Sequence, residues 1–117
     1  MDPRRTERMA ETLREELEEL ITCELTDPRL RVTGVAEVLL SPDGRVARAR
    51  LLMNGSAEEQ KESLAAVDHA RGYIRRELAE RVDIFRLPEI QFEAAVPAEL
   101  APRVPHLLKR VRRGRPR

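Results

Sequence analysis

Residues 56–82 read SAEEQKESLAAVDHARGYIRRELAERV, and the middle of that stretch decides the fold. Ser56 with Glu59 forms a capping box: the Ser hydroxyl covers a free N–H of the first turn while the Glu carboxylate reaches back to the cap. Leu64, Val67, Ala70 or Arg71, Ile74, Leu78 and Val82 then recur at helical steps. A single helix through all of it would carry Gly72 in its interior. Glycine there costs about 1 kcal/mol relative to alanine. The stretch therefore predicts two helices in tandem, kinked or broken at Ala70-Arg71-Gly72.

Upstream, Asn54-Gly55 closes a strand over residues 45–54, in which Ala47, Ala49, Leu51 and Met53 point one way and Arg48, Arg50 and Leu52 the other. Ser41-Pro42-Asp43-Gly44 has the composition of a type I turn and joins that strand to one over residues 30–40. Val38 and Leu40 share a face in this earlier strand, but Val32 and Val35 differ in parity, which predicts a bulge near Ala36 or burial on both faces. Before the hairpin, Met9, Leu13, Leu17, Leu20, Ile21 and Leu25 form one apolar stripe. They predict a helix over residues 3–25, capped by Asp2, entered at Pro3 and stopped by Thr26-Asp27-Pro28-Arg29. Downstream, Ile90, Phe92 and Ala94 alternate with Glu89, Gln91 and Glu93 in a strand over residues 87–94, with Pro88 at its start or on an edge. The order α-β-β-α-kink-α-β, with helices needed on one face of the sheet, is an α+β two-layer domain over residues 1–96. Residues 97–117 are expected to hold a short helix at 105–111 and a basic, disordered tail.

The chain has 117 residues and a net charge of +1, and charged residues make up 37% of it. It has no run of about 18 apolar residues, so no membrane segment is expected. A single cysteine, Cys23, allows no internal disulfide and is expected as a core thiol in a reducing, cytoplasmic setting. The net charge conceals a segregation. Fifteen basic against twenty-one acidic residues leave residues 1–102 at −6, while residues 103–117 carry seven basic residues and no acid.

Enzymatic chemistry finds little support. His69 and His106 are the only histidines, Asp68 and His69 point about 100° apart on a helix, and the glycines are scattered singly. Glu15, Glu16, Glu18 and Glu19 are expected on the solvated side of the first helix. No catalytic residue, metal, cofactor or small-molecule substrate is expected. Polyanion binding is better supported, by four groups of residues. Arg4, Arg5 and Arg8 open the first helix, where the macrodipole favours acids. Arg45, Arg48 and Arg50 lie on or beside one strand face, unless they pair with Glu37 and Glu93 across strands. Arg71, Arg75 and Arg76 flank Gly72, although Arg76–Glu80 and Glu77–Arg81 offer helical pairs. Lys109, Arg110, Arg112 and Arg113 belong to the tail, which carries no acid. Aromatics amount to 3%, which disfavours serial base stacking and points to phosphate and shape. Tyr73 either stacks on a base or packs in the core. The competing reading is a protein-binding adaptor that docks through the acidic first helix.

Several landmarks in order resemble the ribosome-binding factor A family. They are Leu25-Thr26-Asp27-Pro28-Arg29-Leu30, Val38-Leu39-Leu40-Ser41-Pro42-Asp43, Ala47-Arg48-Ala49, Ala70-Arg71-Gly72-Tyr73-Ile74-Arg75 and Leu87-Pro88-Glu89-Ile90-Gln91-Phe92. The resemblance implies a type II KH-like domain (αββααβ) with a three-stranded mixed sheet. An Ala-x-Gly kink stands where ordinary KH domains clamp nucleic-acid backbone with Gly-x-x-Gly. It further implies a non-enzymatic, monomeric assembly factor that binds 16S rRNA and free 30S subunits. The role implied is late maturation, including 5′-end processing, and growth in the cold. In this reading Ala70 and Gly72 admit the RNA backbone, and Arg71, Arg75 and Arg76 neutralise its phosphates. Gly34, within the first strand, and the Arg-rich tail depart from the family's pattern.

Overall fold

The computed structural model describes residues 3–82 and 86–95. The expected helix at residues 105–111, the tail residues and the Asp2 cap lie outside them. Helix α1 (Pro3–Glu19) continues into a π turn, Leu20–Glu24, closed by Leu25 N–H donating to Leu20 O at 3.1 Å. The extra residue in that turn buries the consecutive Leu20 and Ile21 together with Leu13 and Leu17. It also rotates Cys23 outward: the thiol is exposed, not in the core as its place beside the apolar stripe suggested.

Strands β1 (Val32–Leu40) and β2 (Val46–Met53) pair antiparallel. Gly44 N–H donates to Ser41 O at 2.9 Å in the turn between them, with Gly44 at φ 72°. The register steps between Val35 and Glu37, so Ala36 is bulged, as the parity mismatch predicts; a second step lies between Val32 and Gly34. Helix α2 (Ala57–His69) carries the complete Ser56/Glu59 capping box and gives way at Ala70 to α3 (Arg71–Arg81). Strand β3 (Glu89–Ala94) returns parallel to β2, a direction that needs a long crossover such as the helix pair supplies. The sheet order is β1-β2-β3. Ala47, Ala49 and Leu51 of β2 meet Leu13, Leu17, Val67, Ile74, Leu78 and Ile90 in one core. Their small alanines let the helices lie close to the central strand.

A contact with α1 explains Gly34. Glu18 of α1 is not simply solvated: its carboxylate accepts the Val35 N–H at 2.8 Å. A Cβ on Gly34 would stand 2.8 Å from that same carboxylate oxygen. Gly34→Ala is therefore expected to push Glu18 off the Val35 N–H and cost about 0.5–1.5 kcal/mol, the net worth of a part-buried hydrogen bond. Glu18→Ala should cost a similar amount, and the double variant should cost much less than the sum. Urea unfolding of the three variants measures this, and strict additivity would disprove the coupling.

Candidate nucleic-acid interface

The break between α2 and α3 is a change at one residue. Ala70 has φ −88° and ψ 7°, a bridge conformation open to any residue. Its N–H closes α2 on Ala66 O at 3.1 Å and Val67 O at 3.0 Å, and its carbonyl opens α3 by accepting from Ile74 N–H at 2.9 Å. Gly72 is not what permits the bend: it lies inside α3 without a positive φ. Its contribution is space, because a Cβ there would meet nothing within 4 Å. Helix α3 begins with no side-chain cap and no acid in its first turn. With no carboxylate there to meet the positive end of the helix dipole, this start favours an anion.

The arginines around this junction divide by what they already hold. Arg71 donates to Asp68 one turn earlier, and its Nε is buried without a partner. Arg75 donates to Pro88 O at 3.1 Å and Leu87 O at 3.3 Å. It thus pins α3 to the lead-in of β3, a structural task beyond the one assigned to it above. Arg76 is exposed, and no ion pair engages it among the described residues. The Arg76–Glu80 pair offered by spacing does not form, whereas Glu77–Arg81 does at 3.7 Å. Arg81 also meets Glu16 and Glu19, each at 3.6 Å, and Glu24. Arg81 therefore engages two acids of α1 within the fold.

Two of the strand arginines are engaged elsewhere. Arg48 and Arg50 lie on the sheet face opposite the helices. Arg50 Nε pairs with Glu93 at 3.0 Å and its Nη1 with Glu37 at 3.6 Å, while Arg48 pairs with Glu93 at 3.3 Å. The cross-strand alternative therefore holds there, and those charges stitch β1, β2 and β3 together. Arg45 is exposed at the end of the turn. Arg4, Arg5 and Arg8 are exposed along the start of α1, Arg4 with a partner of its own.

The segment Leu25-Thr26-Asp27-Pro28 faces the break. Asp27 accepts from Arg29 Nε at 3.1 Å, Nη2 at 2.8 Å and backbone N–H at 2.9 Å. These bonds, the side-chain ones first, lower its pKa from 3.8 to about 2. Because the folded value is depressed, the interaction contributes fully above the ordinary carboxylate range and is lost as pH falls toward 2. Tyr73 is 37% exposed and stands outside the core cluster. Among the described residues no helix is long and apolar enough to cross a membrane, and no group of His, Cys, Asp and Glu could hold a metal.

An α+β domain with this topology and a helix pair interrupted at Ala70-Arg71-Gly72 is of the KH-like class. The family model described as ribosome-binding factor A matches residues 5–108. A ribosome-binding factor A from Solibacter usitatus is 44% identical over 117 residues, covering 100% of this chain and 95% of its own. One from Thermomicrobium roseum is 39% identical over 113 residues, covering 97% and 88%. The crystal structure of ribosome-binding factor A from Thermus thermophilus superposes with a TM-score of 0.69 at 30% identity, over 77% of this chain and 94% of that one. The chain belongs to the ribosome-binding factor A family.

Proposed function

We propose that this protein is an assembly factor that binds the free small (30S) ribosomal subunit through its 16S rRNA. It acts during late maturation, including processing of the rRNA 5′ end, supports growth in the cold, and works as a cytoplasmic monomer without cofactor or catalysis. The observation that carries the reading is the α2–α3 junction. It combines an uncapped helix start, a glycine with open space above it, and an exposed Arg76 that no ion pair engages among the described residues. Arg71 joins it at small cost, because an exposed pair such as Arg71–Asp68 contributes only about 0–1 kcal/mol. The adaptor reading loses ground because Glu16 and Glu19 of α1 already serve Arg81.

Co-sedimentation with small subunits, large subunits and whole ribosomes across a salt series tests this. For Z phosphate contacts, log K should fall against log salt with a slope of roughly −0.7Z to −0.9Z. Binding should be confined to the small subunit. Association that ignores salt and survives ribonuclease would instead mean that a protein is the partner.

A further inference from the structure

The helix break has a second side. Where α2 ends, the segment leaving the π turn runs past it, and the two leave an open depression of about 690 Å³. That volume lies within the roughly 300–1,000 Å³ of small-ligand sites. Leu25, Pro28, His69 and Tyr73 supply apolar and aromatic lining, and Glu24 and Asp27 the carboxylates. Tyr73 is a large exposed aromatic that the core does not use.

The charges narrow what fits. Asp27 is held by Arg29 and Glu24 by Arg81, and neither arginine is among the lining residues. Neutralised carboxylates give a cation little net attraction, and their lone pairs repel a phosphate. They still accept N–H donors. A neutral, flat heterocycle with an amino group on its edge satisfies all of this, since unpaired bases are commonly held by stacking on Tyr and hydrogen bonds along their edges. We infer that the depression takes one unpaired amino-bearing nucleobase, stacked on Tyr73, from the RNA strand whose phosphates lie at the α2–α3 junction. This rests on the RNA-binding reading. Partial burial, then the nearby Glu77 and Glu24, raise the Tyr73 pKa above 10.0, so the ring stays neutral at physiological pH.

Tyr73 is the chain's one tyrosine, and there is no tryptophan, so its emission reports the pocket directly. The full chain is titrated with an end-labelled eight-nucleotide oligoadenylate, an abasic ribose-phosphate strand of the same length, an oligouridylate and N-acetylarginine amide. Oligoadenylate should quench Tyr73, while the abasic strand should bind by label anisotropy without quenching. Tyr73→Leu should weaken oligoadenylate binding about tenfold and leave the abasic strand unaffected. Tyr73→Phe should restore the affinity.

Oligoadenylate binding without quenching, with Tyr73→Leu unchanged, overturns the base pocket and leaves the phosphate seat standing. Failure of both strands to bind overturns the RNA reading and the pocket with it. Equal quenching by oligouridylate overturns the amino preference. Quenching by N-acetylarginine amide alone would assign the pocket to a protein's cationic side chain and overturn the base.

Discussion

Leu17→Ala is expected to destabilise the domain by about 2–5 kcal/mol, the usual range for removing a buried leucine side chain. Leu17 has no exposed surface and lies where α1 packs over the sheet. Among the described residues the largest fully buried side chains are Leu13, Leu17, Leu20, Ile21, Leu51, Ile74 and Leu78, with no aromatic among them. Branched aliphatics therefore carry nearly all of the packing, and on the sheet side the facing residues include Ala47 and Ala49, which have little side chain to move into a void. A domain of this size has a total stability of about 5–15 kcal/mol, so the loss is a large fraction of it. At about 4–8 °C per kcal/mol, the melting temperature should fall by roughly 8 °C or more. Leu39→Ala is the control. Leu39 is 39% exposed, and its truncation should cost well under 1 kcal/mol. Thermal unfolding of both variants checks the pair. Equal losses would mean that α1 does not sit on the sheet as described.

What was legible in the chain was what neighbours within a few residues decide. The Ser56 capping box, the Ser41–Gly44 turn, the alternation of Ala47, Ala49 and Leu51, and the bulge at Ala36 all follow from local spacing, and all are present. The break near Ala70 was also legible, but not its cause. A glycine two positions on drew attention, whereas the bend sits in an alanine whose φ and ψ any residue can adopt. The π turn left no signal, because one inserted residue changes which side of the helix faces inward without changing composition, and so Cys23 was misplaced. The Glu18–Gly34 contact joins α1 to β1 across residues with no shared pattern. The fate of each arginine was hidden for the same reason. Arg50 reaches Glu93, and Arg81 reaches Glu16 and Glu24, and only the tertiary fold determines which cations are spent on the protein itself. Among the described residues the ion pairs take Arg48 and Arg50 out of the cationic set read from the chain and leave Arg76 at the α2–α3 junction exposed.

That reduction leads to the prediction with the widest consequence. Arg71→Glu combined with Arg76→Glu should weaken small-subunit binding at least about tenfold and flatten the salt slope by roughly two contacts' worth. Folding should be spared. Arg76 is exposed and engaged by no ion pair among the described residues. Arg71 gives up a surface pair with Asp68 and leaves a carboxylate one turn from it, a cost of about 0.2–0.5 kcal/mol that the helix dipole, favouring a carboxylate in the first turn of α3 by about 0.3–1 kcal/mol, offsets. Arg75 is left intact because it holds the carbonyls of Leu87 and Pro88, and its loss would confuse binding with stability. Arg48→Gln serves as the comparison. Its charge is already met by Glu93 on the opposite sheet face, so subunit binding should stay within about twofold of wild type if only unspent cations reach the RNA. Co-sedimentation over a salt series, with melting temperatures measured alongside, separates the outcomes. Wild-type affinity in a folded double variant would remove the junction as the RNA seat. A loss in Arg48→Gln equal to that of the double variant would move the seat to the sheet.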